Sequence, residues 1–421
     1  MTGILAGRKA AGLIALMCIA EVFGMLGFAT FPALMPVFFG EWGLSNTDAG
    51  WINAIFFAGY ILSVAVLVSL TDWFDPRRIY LVCVTISILA LMGFSLFATG
   101  FWSAMLLRSL AGVGLAGTYM PGLKALSDLI DGPAQSRAVS FYTASFGIGT
   151  SLSFFMAGQI NAWLGWRWAF GLAMAGPALA LIMVALWLPA RAPVPREVST
   201  HPVQDFLTVL RNGQAMGYTL AYTWHNFELF GFRSWLVAFL VFSQGLQAQG
   251  SALLAKPATL AALATLVALP SSVSGNELAL KFGRKRTVMV LMSASAVLAW
   301  LLGFSAGLSF PLVMGLTLLY GVAVMMDSSA ITAGTVSNAP PGLRGTTMAV
   351  HSCVGFSGAF LGPLVFGMVL DAAGGGGSIL SWGLAFGTLG AVVALGPLSL
   401  ALMVHTRDEG SAVPIRSGAK A

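Results

Sequence analysis

The sequence predicts an all-α membrane protein, with about twelve transmembrane helices in two six-helix bundles related by a pseudo-two-fold repeat. Three observations predict it. Of 421 residues, 57% are hydrophobic and only 9% charged, with a mean hydropathy of +0.86. Soluble domains carry about 25% charged residues, so a water-facing surface cannot be covered from this composition. Apolar stretches of roughly 20 residues, each long enough to cross a bilayer, recur along the whole chain. The basic residues fall between them on alternate sides.

The approximate spans are 12–39, 50–70, 79–99, 102–122, 138–160, 167–189, 216–242, 257–279, 287–307, 310–335, 346–370 and 379–403. The first is too long for a cleaved signal peptide, and no small-residue cleavage site follows it. Placing the amino terminus in the cytoplasm collects Arg8, Lys9, Arg77, Arg78, Lys124, Arg137, Arg191, Arg196, Arg211, Lys281, Arg284, Lys285, Arg286, Arg344, Arg407, Arg416 and Lys420 on one side. The other side keeps Arg167 and Lys256, while Arg108 and Arg233 fall inside apolar spans. The positive-inside rule then puts both termini in the cytoplasm and requires an even number of spans. The net charge of +6 and pI near 9.4 are thus a topology signal and imply no nucleic-acid partner. The expected location is the plasma (inner) membrane.

Between the sixth and seventh spans lies the longest polar stretch, PARAPVPREVSTHPVQDFLTVLRNGQ, at 190–215. Its prolines and charges read as a cytoplasmic linker. The expected division is therefore 1–189, an amino-terminal six-helix bundle; 190–215, the linker; and 216–421, a carboxy-terminal bundle with a short tail. The halves echo each other. WFDPRRIYL at 73–81 matches KFGRKRTVM at 281–289, Gly93-Phe94-Ser95 matches Gly303-Phe304-Ser305, and Arg137 matches Arg344. Two similar six-span bundles are a repeat architecture of secondary transporters.

These residues carry a family resemblance. LTDWFDPRRIYL after the second span resembles the loop between helices 2 and 3 of the major facilitator superfamily, G-x-x-x-D-R-x-G-R-R. Asp72, Arg77 and Arg78 fit it; Val68, Trp73 and Asp75 replace the first glycine, the first arginine and the second glycine. The second copy, GNELALKFGRKR at 275–286, keeps Gly283, Arg284, Lys285 and Arg286 and lacks the acid, for which Glu277 is a substitute. RSLAGVG at 108–114 resembles the helix 4 pattern R-x-x-x-G-x-G, and GEWGLSNTDAGW at 40–51 the outer loop before helix 2. The proline-containing antiporter motif of helix 5 is absent from TASFGIGTSLSFF at 143–155. The resemblance implies that Asp72 with Arg77, Arg78, Arg284 and Lys285 forms a gating loop. In it, Asp72 accepts charge-assisted hydrogen bonds from the neighbouring bundle in one access state. Plain positive-inside anchoring predicts the same basic residues.

Charges inside the membrane are the most informative residues, since each costs about 2.5–3.5 kcal/mol at the bilayer centre. Glu21 sits nine residues into span 1, which is ~14 Å deep at ~1.5 Å per residue. Span 7 carries His225 and Glu228, three apart on one helical face, and Arg233 beyond them. Span 10 carries Asp327, span 4 carries Arg108, and His351 opens span 11 near the cytoplasmic side. The resemblance implies that spans 1, 4, 7 and 10 line a central cavity, and these are the spans that hold the five charges. The expected substrate- or proton-binding residues are therefore Glu21, Arg108, Glu228, Arg233, Asp327 and His225. The structural alternative makes Glu21 with Arg108, and Glu228 with Arg233, buried ion pairs.

A desolvated carboxylate holds a proton more readily, so Glu21, Glu228 and Asp327 are candidate carriers. Arginine stays charged, so Arg108 and Arg233 would bind a substrate carboxylate or tune a carrier. Trp224, Phe227 and Phe230 would suit amphipathic cargo or helix packing. The runs GVGLAG at 112–117, GIG at 147–149 and GFSGAFLG at 355–362 would let helices approach and slide, with spans 5 and 11 as the seam between bundles. Cys18, Cys83 and Cys353 are scattered, with no disulfide framework or metal spacing. No hydrolase elbow, metal cluster or phosphate loop appears, and the soluble parts are too short for a nucleotide domain. The expectation is a proton-coupled secondary transporter of a small solute, an organic anion by preference, working by alternating access. Proton-driven efflux of amphipathic compounds and a non-transporting sensor are the alternatives. No cofactor, metal or nucleic acid is expected; the expected partners are solute, protons and lipid, and the expected state is a monomer.

Overall fold

The computed structural model describes residues 7–130, 133–190, 202–247 and 256–405. Arg191, Arg196, Arg407, Arg416, Lys420 and the tail lie outside them. Every regular element among the described residues is helical. In the first half, α1 (Gly7–Gly24), a 3-10 turn (Met25–Gly27) and α2 (Thr30–Trp42) form one interrupted crossing. Then come α3 (Asn46–Leu70), α4 (Pro76–Phe97), α5 (Phe101–Ser127) and α6 (Pro133–Leu164). The sixth crossing is α7 (Trp166–Ala173) plus α8 (Ala175–Trp187).

The polar stretch contains a helix, α9 (Pro202–Arg211), whose Val209 packs with Met216 and Val350. The second half runs α10 (Gly213–Gly245), α11 (Pro257–Val267) with α12 (Leu269–Phe282), and α13 (Arg284–Phe304). It continues with α14 (Phe310–Met326) plus α15 (Ser328–Ser337), α16 (Arg344–Ala372), and α17 (Ile379–Val393) plus α18 (Leu395–Met403). These helices give the expected twelve crossings in two bundles. Nine candidate spans among the described residues are long and apolar enough to cross a membrane. The chain is an integral, multi-pass membrane protein. The other three crossings, α5, α6 and α10, are long helices richer in polar and small residues.

Helix ends follow local chemistry. Ser45 and Asp48 make a reciprocal capping box at α3, satisfying two otherwise unpaired N–H groups. Asp75, which replaces the motif glycine, is the N-cap of α4 and accepts the Arg77 N–H at 2.9 Å. Its counterpart Gly283 instead takes a positive φ of 87° between α12 and α13. Several helices extend beyond the apolar stretch that marks them. Pro177, Pro270 and Pro397 sit just after the breaks in the sixth, eighth and twelfth crossings, as expected of a ring that blocks the preceding turn.

The buried apolar side chains show how the bundles meet. One large cluster draws on both halves, from Phe57, Phe154 and Ala157 to Phe230, Trp235 and Ala258. At the end carrying the basic residues the halves have separate clusters. One is built on Leu13, Tyr80, Leu126 and Tyr142, the other on Tyr218, Val288, Met292 and Leu400. All described hydrogen bonds between bundles lie toward the opposite face: Asn46 and Thr47 to Asp371, Ser151 to Ala262, and Gln159 to Thr259 and Lys256. Of the glycine runs expected at the seam, only Gly147 faces the other bundle, against Leu269. Gly112, Gly149, Gly355, Gly358 and Gly362 receive helices of their own bundle instead, because α3 with α5, the first crossing with α6, and α10 with α16 pack closely at these points. The bundles approach at Gly50, Gly158 and Gly367.

Candidate functional site

The interruption of the first crossing sets the centre of the amino-terminal bundle. Pro32 has no N–H to return to the Phe28 carbonyl, four residues back. Arg108 of α5 supplies a donor in its place: Nη1 lies 3.3 Å from the Phe28 oxygen. Ser153 of α6 serves the other side of the break. Its hydroxyl donates to the Leu26 carbonyl at 2.6 Å and accepts from the Ala29 N–H at 3.0 Å. The Arg108 guanidinium also rests over the Phe56 ring at 4.5 Å and near Phe31 at 5.7 Å. Arg108 is 4% exposed, and its Nε has no partner.

Glu21 lies deeper in the same bundle. The Tyr142 hydroxyl donates to its Oε2 at 2.9 Å and also lies 3.3 Å from the Thr118 carbonyl; Oε1 is buried without a partner. Glu228 is the counterpart in the second half, 207 positions on, and is fully buried. Ser295 and Tyr320 both donate to its Oε1, at 2.6 and 3.0 Å, and Oε2 is left bare. These partners come from α13 and α14, so the carboxylate faces the interior of its own bundle. Arg233, 7% exposed, reaches no acid; its described polar contact is Nη2 to Met325 Sδ at 3.8 Å.

Asp327 forms the joint between α14 and α15. His225 Nδ1 approaches its Oδ1 at 2.7 Å, both side chains being 1% exposed. The approach is off the hydrogen-bond direction, so both atoms, with Oδ2, remain unsatisfied. Tyr222 is stacked between His225, at 5.8 Å, and His351, at 4.2 Å. His351 is thus packed inside its own bundle. It is 2% exposed, its Nδ1 sits 3.1 Å from the Thr335 hydroxyl, and Nε2 is unpartnered.

The structure thus brings together only one of the expected sets, His225 with Asp327. Among the described residues the only other ion pair is Lys124–Asp128. The alternative pairs Glu21–Arg108 and Glu228–Arg233 do not form. Each of these groups is instead held by hydroxyl, carbonyl, ring or thioether contacts on its own side. None of the five membrane charges faces lipid. Of the three aromatics on α10, Phe230 crosses to Phe57 at 4.6 Å, Trp224 bonds Ser399, and Phe227 lies under Gly358 and Gly362.

In the loop after α3, Arg77 donates to the Ala185 carbonyl at the end of α8. Lys285, 208 positions later, donates to the Val404 carbonyl after α18 at 2.6 Å, and Arg284 to Ser337 at 3.2 Å. These cations cap the last helix or a neighbour of their own bundle. The Asp72 side chain makes no described hydrogen bond or ion pair, and the exposed Arg78 and Glu277 make none. Among the described residues, Asp72 makes no contact of the expected kind with the other bundle. The sequence reading missed Tyr142, Ser153, Ser295 and Tyr320; hydroxyls in apolar helices carried no signal without the charge they serve.

Comparison with known proteins gives a consistent result. The family profile described as Major Facilitator Superfamily matches residues 17–363. Human "Protein spinster homolog 1" is 25% identical over 58% of this chain and 48% of its own length. A "Probable 4-methylmuconolactone transporter" of Cupriavidus pinatubonensis is 25% identical over 37% of this chain and 36% of its own length. The chain thus spans about half the length, or less, of the curated relatives it matches. Among solved structures, a bacterial homologue of human spinster, inward-facing and unoccupied, aligns with a TM-score of 0.73, 16% identity and coverage of 95% and 96%. The nucleoside transporter NupG aligns at 0.75, with 15% identity and coverage of 94% and 100%.

Proposed function

Since this chain belongs to the Major Facilitator Superfamily, we propose that it is a proton-coupled secondary transporter which moves a small organic anion by alternating access. One observation carries the reading: Glu21, Arg108, Glu228 and Arg233 are buried in the first, fourth and seventh crossings without forming an ion pair. Buried charge of this kind is costly and marks solute or ion pathways. Glu21, Glu228 and Asp327 with His225 are the groups that bind and release the proton. Arg108 and Arg233 attract the anionic end of the solute.

The separate apolar clusters at the basic end, and the shared cluster opposite, support an access route from the basic end. With the positive-inside distribution, that end is cytoplasmic and the state inward-facing. In this proposal both termini are cytoplasmic, the plasma membrane is the location, 190–215 is the linker between transport bundles, and a monomer suffices. The relatives named as transporters of a muconolactone and of nucleosides support a small solute. A second reading, efflux of amphipathic compounds, draws on the aromatic contacts Phe57–Phe230 and Tyr60–Phe356 between bundles.

The test is ΔpH-driven movement of a solute panel in proteoliposomes, wild type against Glu21→Gln. Anion accumulation that Glu21→Gln abolishes supports the proposal. Equal behaviour of the two proteins removes Glu21 as a carrier, and no movement of any solute favours a sensor.

A further inference from the structure

The face opposite the basic residues is fastened at several points, and at one of them, the start of α3, the fastening group is a carboxylate of the other bundle. Helix α3 begins there, and its first N–H groups need partners. The Ser45–Asp48 capping box satisfies Ser45 and Asp48. The next two donors, Asn46 N–H and Thr47 N–H, are satisfied from the other bundle. Both oxygens of Asp371, at the end of α16, are used. Oδ1 accepts from Asn46 N at 3.2 Å and Asn46 Nδ2 at 2.7 Å; Oδ2 accepts from Thr47 N at 2.7 Å and Thr47 Oγ1 at 2.6 Å.

A carboxylate on four donors at a helix amino terminus gains from hydrogen bonding and from the helix dipole together. The surrounding backbone is shaped for the approach. A Cβ on Gly367 would stand 2.3 Å from the Asn46 carbonyl oxygen, and one on Gly50 would stand 2.8 Å from that of Pro363. Gly374 and Gly375, with φ of 94° and 88°, turn the chain away directly after the contact. The far end of the same helix pair is different. Asp72, just past the end of α3, and Arg344, at the start of α16, make no described bond to each other's bundle.

We propose that Asp371 is the gate residue of the transport cycle at this face: its carboxylate, seated on Asn46 and Thr47, holds the face closed and releases α3 when the face opens. The inference rests on the alternating-access reading above, yet it concerns a residue outside the buried charges. Breaking the contact removes four hydrogen bonds that join the bundles and none within either bundle, so the perturbation falls on their relative position. Asp371→Asn keeps the shape, removes the negative charge and places a donor amide where an acceptor oxygen was. Thr47→Val removes one donor from the opposite side.

The experiment is double electron–electron resonance on the full chain in lipid nanodiscs. Cys18, Cys83 and Cys353 are replaced by serine, and spin labels are placed at Thr99→Cys and Ser309→Cys, exposed loop positions of the two bundles on this face. Without substitution, the short-distance population should dominate. Asp371→Asn should raise the ratio of long to short distances at least tenfold, and Thr47→Val should raise it in the same direction by less. Unchanged distributions in both variants, with protein that elutes as a single monodisperse peak, overturn the proposal. If Asp371→Asn does not fold, Thr47→Val alone decides it. Transport assays separate the two readings. A shift in distances with no solute moved keeps the gate and removes the transporter; transport with no shift does the reverse.

Discussion

Arg108 stands where two readings can be separated by one substitution. Its guanidinium does two measurable things in the structure: it donates to the Phe28 carbonyl at 3.3 Å and lies over the Phe56 ring at 4.5 Å. Arg108→Lys keeps a positive charge and a donor, so it can still serve the carbonyl that Pro32 leaves without its helix partner. It loses the flat face and the paired N–H fork, which an ammonium cannot reproduce. Replacing the stacked guanidinium by an ammonium weakens the buried cation–π contact without abolishing it, which predicts a stability decrease of about 1 kcal/mol. Arg108→Gln forfeits the charge-assisted bond as well and should cost about 3 kcal/mol in all. If the fork also grips a substrate carboxylate, Arg108→Lys gives up about 2 kcal/mol of binding, which is roughly a 30-fold rise in KM. The assay is concentration-dependent uptake of anionic solutes into proteoliposomes, run beside thermal unfolding of the same preparations. A KM for Arg108→Lys within threefold of wild type, with the stability loss present, would show that Arg108 only mends the helix break. The anion reading would then retain Arg233 alone.

Three further outcomes follow from the same geometry. Glu21→Gln should abolish ΔpH-driven accumulation yet leave solute exchange at zero gradient, whereas Tyr142→Phe, which removes one donor from Oε2, should slow transport by less than about tenfold. His225→Gln and Asp327→Asn should each impair transport, and the double variant should cost little more than the worse single one, because contacting residues are not additive; strictly multiplicative losses would show that the pair acts as two unrelated groups. Ser153→Ala should lower stability by about 2–3 kcal/mol, read as a fall in apparent Tm, since one hydroxyl serves both the Leu26 carbonyl and the Ala29 N–H; an unchanged Tm would show that the break rearranges freely.

Most of the architecture was readable because it depends on bulk quantities. Hydrocarbon thickness sets span length, and basic residues set alternation, so the order of crossings survives uncertainty about any single residue. The breaks were harder. Pro177, Pro270 and Pro397 announce three of them, but the joint at Asp327 has no proline beside it. Its acid was visible in the sequence and its backbone role was not. The charges themselves were visible for the same bulk reason, because they stand out against apolar spans. Their partners were not. Tyr142, Ser295 and Tyr320 are unremarkable hydroxyls until the helices are placed, and the contacts of His351 with Tyr222 and Thr335 emerge only then as well. Asp371 lay just beyond an apolar stretch, where an acid needs no explanation, so nothing in the sequence set it apart.

The same limit explains why the expected ion pairs are absent. Glu228 and Arg233 lie five residues apart on one helix, which turns them through more than one full turn and sends them to different neighbours: Glu228 to Ser295 and Tyr320, Arg233 to Met325. Glu21 and Arg108 belong to different depths of one bundle. Glu21 meets Tyr142 and Arg108 meets the carbonyl at the helix break. A protein that needed these charges only for stability would gain by pairing them, because an unpaired buried charge costs several kcal/mol where a pair can be near neutral. Here four charges are spread over separate hydroxyl, carbonyl and sulfur contacts, and Glu21 Oε1, Arg108 Nε and Glu228 Oε2 are left without a partner. Such contacts are weak enough to exchange for a proton or a solute group. A full ion pair would first have to be broken. Under the proposed proton-coupled cycle, separation of the charges is what loading and release require, and it is the property that a Glu228–Arg233 or Glu21–Arg108 bridge would have removed.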